Sequence, residues 1–351
     1  MILMGGCAQH RPTPPPSDCD TRIQYYSNKT SEHPRHYPSY ALLGAAYLDK
    51  ARETLDPSWL TKARSAMNRS LEIQPNFEAF KVMTALCNYA HRFEDALQWG
   101  KRAAETYPTD TEVTVLLVEA YMGLGKYDEA RKLLPPAGQK PADFYTASAM
   151  GNWLVSQRRY KEAVDCFSKA AEFARTENVR ELVVWAEVSA AGALMDARQL
   201  DAARKRLDAA ANVDEKDVRL HLHRAELLEA KGKTQEALAM AETLLQRRND
   251  PAVHRKAFVL ARKLGQTSQA QLHFDAAEKG FQRAVDAGEI YTLEALARLY
   301  YDADVRLEQA LTLAEKNLQY KRDIEAQQTL ACIRSKLKKR RSSLRPLRSL
   351  R

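Results

Sequence analysis

The feature that most restricts this chain is a ladder of alanines. Ala63, Ala96, Ala130, Ala163, Ala203, Ala237, Ala270 and Ala310 follow one another at intervals of 33, 34, 33, 40, 34, 33 and 40 residues. Nine residues before most of them stands a large or apolar residue: Cys87, Tyr121, Leu154, Leu194, Leu228, Ala261 or Tyr301. Three before comes Phe93, Tyr127, Tyr160, Leu200 or Leu307, and five before come Gly125, Gly232 and Gly265. Pro75 and Pro108 lie twelve residues after their alanines, where a helix should stop. A unit of this length, with glycine near its middle, holds two antiparallel helices and a tight turn. Alanine at the anchor lets the paired axes approach to roughly 8–10 Å. No single hairpin can bury its apolar face alone, so the copies must stack.

The first unit shows the pattern best. "YALLGAAY", Tyr40 to Tyr47, is followed by "LDKARETLDPSW", which reads as a turn lengthened by about seven residues, and then by "LTKARSAMNRSLEIQP" as a second helix. These residues resemble the tetratricopeptide-repeat family, whose first helix carries an aromatic, Leu-Gly and Ala-Tyr at this spacing. The resemblance covers about residues 37–331 in eight units. It implies an all-α fold, an α-solenoid wound as a right-handed superhelix of about eight antiparallel helix pairs. It also implies a non-enzymatic scaffold that binds a protein or peptide partner. Thr267 replaces the expected aromatic in the unit from Pro251 to Ala277, and stretches near 176–183 and 279–290 exceed the family length.

The family's inner groove is lined by positions 2, 5, 9, 12 and 13 of each unit. Carried over position by position, the groove would hold Lys81, Asn88 and Tyr89, then Glu112 and Glu119. Tyr145, Ser148 and Asn152 come next, then Trp185 and Asp196. Arg219, Glu226 and Glu229 follow, and Arg255, Arg262 and Lys263 close the series. Only Asn152 matches the Lys/Asn/Arg clamp with which some relatives hold a peptide carboxylate. Tyr145 and Trp185 are the expected anchors, because aromatics dominate interface energetics; Trp185 could equally pack between units. An acidic stretch at Glu112 and Glu119 and a basic one at Arg255, Arg262 and Lys263 would orient the bound segment.

Chemistry of other kinds finds little footing. There is no HExxH, GxSxG or Gly-rich dinucleotide fingerprint. "GLGK", Gly123 to Lys126, lacks the upstream glycine and following Ser/Thr of a phosphate loop and reads as a turn between helices. The five cysteines form no CxxC pair. His221 and His223 are two apart on a helix, so they point to different faces. No cofactor and no metal are expected.

The two ends differ from the body. The formal charge is +9, but Cys332 to Arg351 holds nine Lys or Arg and no acid, which leaves 45 basic and 45 acidic residues elsewhere. This basic end, 332–351, reads foremost as a capping helix with a solvated face or as a frame-shifted terminus. A basic arm for lipid or nucleic acid is the lesser reading. It has no aromatics to stack bases, so specific nucleic-acid binding is not expected. At the other end, "MILMGGCAQ" followed by "HRPTPPPSD" resembles a bacterial lipoprotein signal ending at Cys7, with a Pro-rich tether after it. No basic segment leads it and the apolar stretch is short, so the signal reads as truncated. Residues 1–36 are therefore expected to be signal and linker. A lipidated Cys7 would place the protein at the cell envelope, facing the periplasm or exterior; the alternative is a cytoplasmic adaptor.

Overall fold

The computed structural model describes residues 18–343 except 55, 57 and 137. Among them every element is helical. Eight hairpins run in order: α2 and α3 (Tyr37–Thr54, Ser58–Ile73), α4 and α5 (Phe77–Tyr89, Phe93–Thr106), α6 and α7 (Thr111–Gly123, Tyr127–Leu133), α8 and α9 (Phe144–Ser156, Tyr160–Thr176). The second four are α10 and α11 (Arg180–Asp196, Leu200–Ala211), α12 and α13 (Val218–Ala230, Thr234–Arg247), α14 and α15 (Pro251–Lys263, Thr267–Asp286), α16 and α17 (Leu293–Ala303, Leu307–Asn317). Single helices flank them, α1 (Cys19–Glu32) and α18 (Ile324–Ser343).

The alanine ladder is the packing spine. Seven of its eight members have no exposed surface, and Ala270 retains 6%. The hairpin turns share one hydrogen bond. Arg92, Lys126, Arg159, Gln199, Lys233 and Gln266 donate their N–H groups to the carbonyls of Cys87, Tyr121, Leu154, Leu194, Leu228 and Ala261. Those acceptors are the residues nine before each anchor. The residue five before the anchor is left-handed in every one of these turns. Gly125, Gly232 and Gly265 suit it, but His91, Arg158 and Arg198 adopt it too, at φ of 56°, 58° and 61°.

Three boundaries depart from expectation. The insertion in the first unit lengthens helix α2 to 18 residues instead of the turn. The first 40-residue interval comes from two long helices, 17 residues each in α9 and α10, and the second from the 20 residues of α15. Residues 19–32, expected within the linker, form α1, because Asp18 caps its first turn and Tyr26 is buried with Leu43 and Ala66. The basic end likewise continues α18, whose Ile333 and Leu337 are buried as a cap on the last hairpin. Cys7 and residues 344–351 lie outside the described residues.

The solenoid also meets itself. Arg322, between α17 and α18, donates its N–H to the Gly123 carbonyl at 2.7 Å. Its guanidinium is 3.3 Å from Glu94, and the Ile324 N–H donates to the Tyr127 hydroxyl at 3.1 Å. Tyr291 packs beside Tyr89 and His91, with ring centroids 6.2 and 6.3 Å apart. A Cβ on Gly125 would lie 2.6 Å from the Arg322 carbonyl, so this turn needs glycine for space as well as for φ. The turns of the second and third hairpins thus touch the loops that open the eighth hairpin and α18, six units further along. This seam turns the groove into a channel around the superhelix axis.

Candidate functional site

The first helix of each hairpin supplies the inner wall, and the side chains predicted for it have different fates. Ser148 is buried and donates to the Phe144 carbonyl of its own helix, so it is withdrawn from the groove. Asn88 is also buried; its amide donates to the Leu116 carbonyl at 2.9 Å and to Glu119 at 3.1 Å. Tyr89 belongs to the seam through Tyr291. Trp185 is a wedge between neighbouring units, edge-on to both Phe144 and Phe167 with centroids at 5.8 Å. Tyr145 is half-buried against Phe144. Burial, and then the charge of Glu112, raise its hydroxyl pKa.

The acidic and basic stretches do not stand as separate blocks. Lys81 is 3.0 Å from Glu112; burial works against its charge, but the Glu112 carboxylate holds its pKa above the usual value. Glu229 contacts both Lys256 and Lys263, which outweigh burial and keep its carboxyl below the usual range. Arg255 pairs with Asp302 at 2.5 Å, Arg262 donates to the Asp302 carbonyl, and Arg219 pairs with Asp217 at 2.6 Å. Sequence reasoning missed Asp302 and Lys256. A signal existed for Lys256, which stands beside the predicted Arg255, whereas Asp302 lies 47 residues from Arg255, outside the repeat length.

The middle of the wall behaves otherwise. Glu119 and Asp196 reach solvent, yet the surrounding channel removes enough water to raise both carboxyl pKa values. Arg52 and the Asn88 amide oppose that rise at Glu119, whereas the charge of Glu226 adds to it at Asp196. Glu226 and Asn152 are exposed, with no bonded partner among the described residues.

The repeat signature can now be set against known proteins. A tetratricopeptide-repeat family model matches residues 89–151, spanning the second to fourth hairpins. These matched hairpins are tetratricopeptide repeats. Tetratricopeptide hairpins are interaction scaffolds in general, and two solved structures share this fold at low identity. The human IFIT1 dimer with m7Gppp-AAAA is 15% identical over 86% of this chain and 77% of its own, with a TM-score of 0.53. A monomeric IFIT1 mutant with Gppp-AAAA is 14% identical over 86% and 76%, with a TM-score of 0.54. A tetratricopeptide repeat protein from Parabacteroides merdae is 13% identical over 83% and 98%, with a TM-score of 0.38. Among curated proteins no sequence matches.

Among the described residues no group of three or more His, Cys, Asp or Glu could hold a metal ion. Burial pushes the Cys87 and Cys166 thiols up to about 11, the reverse of an activated nucleophile. No described helix is long and apolar enough to cross a membrane.

Proposed function

We propose that this protein is a non-enzymatic scaffold that holds a segment of a partner protein in its inner groove, tethered to the bacterial cell envelope through Cys7. The observation that carries the reading is the inner wall: a row of first helices facing one channel, whose middle holds, among the described residues, polar groups without an ionic partner. Polar and acidic groups that face a concave wall without an ionic partner from the chain favour an outside ligand of complementary charge. The order Gly5, Gly6, Cys7 and a Pro-rich segment supports the anchor. The RNA of the IFIT1 complexes belongs to those proteins; the free carboxylates here would repel phosphate.

A photo-crosslinking residue at Asn152 should give a discrete adduct with the partner, whereas one at Lys169, on the outer helix α9, should not. Adducts arising mainly from Lys169 would refute the groove. In the same cells, incorporation of a labelled fatty acid should vanish in Cys7→Ser; labelling that persists would remove the anchor.

A further inference from the structure

The charges of the inner wall divide into two groups. Toward the N-terminal end Lys81 is matched by Glu112, and toward the C-terminal end Glu229, Arg255 and Lys263 are matched by Lys256, Asp302 and Glu229. Between them, Glu119, Asp196 and Glu226 form no ion pair among the described residues; the cations that influence them, Arg52 at Glu119 and Arg198 at Asp196, act without a direct contact. Glu119 has only the amide of Asn88, a side chain that is 3% exposed and whose Oδ1 has no partner. Gly192, at the same unit position as Glu119, Asn152 and Glu226, leaves a depression: a Cβ there would meet nothing nearer than His223 at 3.7 Å. Half-buried Met122, Val155 and Met195 stand at neighbouring groove positions.

We infer that the groove takes a segment of another protein in which Lys or Arg alternates with apolar side chains, the cations lying along Glu119, Asp196 and Glu226 and an apolar residue over Gly192. The proposal rests on the groove reading above. Charge complementarity selects the occupant. The three carboxylates have no ion-pair partner on the wall, and a guanidinium or ammonium satisfies a carboxylate with a charge-assisted hydrogen bond. Methionines give an adaptable apolar surface beside them, and the glycine depression gives room. Nucleic acid meets the opposite condition, since its phosphates would face the same carboxylates.

The test uses the full chain and fluorescence anisotropy with three labelled probes: a short peptide alternating Lys and Leu, its counterpart with Glu in place of Lys, and an oligouridylate. Only the Lys/Leu peptide should bind. Glu119→Gln, Asp196→Asn and Glu226→Gln combined should weaken it about 30-fold or more and flatten its salt dependence. Gly192→Leu should abolish binding without loss of helicity or melting temperature, because the position is open and leucine favours helix over glycine. Unchanged binding in the triple variant would overturn the proposed chemistry. Binding of the Glu peptide or the oligouridylate that Gly192→Leu blocks would keep the groove and overturn the basic partner. Lys/Leu binding indifferent to Gly192→Leu would overturn the groove itself.

Discussion

The seam and the middle of the groove are built from the same first helices and their adjoining loops, yet they treat charge in opposite ways. Behind the seam, Lys321 is 8% exposed and lies 2.9 Å from Glu294, 3.2 Å from Glu325 and 3.4 Å from Asp323. Arg298 bridges Glu294 and Glu325 at 3.0 Å each, and Thr329 donates to Glu294. Each of these charges has a partner from the same chain. In the groove Glu119, Asp196 and Glu226 have none that is ionic. A surface completed within the chain matches its charges; one left for a second molecule keeps them open.

The largest effect expected from breaking this contrast is at Lys321. Lys321→Ala removes one of the two cations on buried Glu294 and leaves Arg298, so the loss should fall at the low end of the about 3–5 kcal/mol that a broken buried pair costs. Denaturant unfolding should report that loss while the folded protein keeps its affinity for a groove ligand. A cost below ~1 kcal/mol would show that the network does not hold the C-terminal units.

A second test uses pH. Burial, and then the charge of Lys321, depress the His91 pKa from 6.5 to about 4. Unfolded chains take up the proton below pH 6.5, while the native seam resists until about pH 4. Stability is therefore full above 6.5, falls as pH drops through this window and levels below it, by at most about 3 kcal/mol. His91→Asn, which tolerates the left-handed turn, should flatten that slope. An equal slope in both proteins would detach the histidine from the seam.

The smallest effect belongs to the groove. Burial raises the Glu119 carboxyl pKa, so the natural protein loses stability as pH rises past 4.5, and Glu119→Gln should remove that loss and stabilise the fold at pH 7 by about 0.5 kcal/mol. The advantage should shrink as pH falls through the raised pKa toward 4.5, because the natural residue is then protonated. Destabilisation at pH 7 would mean that the bond from Asn88 serves the fold instead of a ligand.

Much of the architecture was legible because it is local. Each anchor alanine, each aromatic three residues earlier and each turn glycine announces its hairpin within one unit, and all eight anchors are buried. His91, Arg158 and Arg198 hid three of the left-handed turns, since their side chains carry no sign of the backbone they adopt. The length of α2 was misread because Pro57 and Asp56 look like turn residues, while the helix absorbs everything to Thr54. The candidate site was legible as a row of positions, not as an electrostatic surface. Lys81 and Glu112 come from adjacent units and cancel only once the helices stack. The seam left no trace at all: Glu94 and Arg322 are 228 residues apart and belong to no repeated pattern.

That contact changes what kind of polymer problem the chain presents. An open array of repeats is one-dimensional: each unit is coupled to its neighbours, and its ends can fray independently. Joining the third hairpin to the start of α18 makes the array a ring from an energetic standpoint, in which the intervening hairpins are in series around a loop. Melting any one of them displaces both sides of the join, so the loss is registered at Gly123 and Arg322 however distant the lesion. Cooperativity, ordinarily supplied by nearest neighbours alone, acquires a long-range component from a handful of hydrogen bonds.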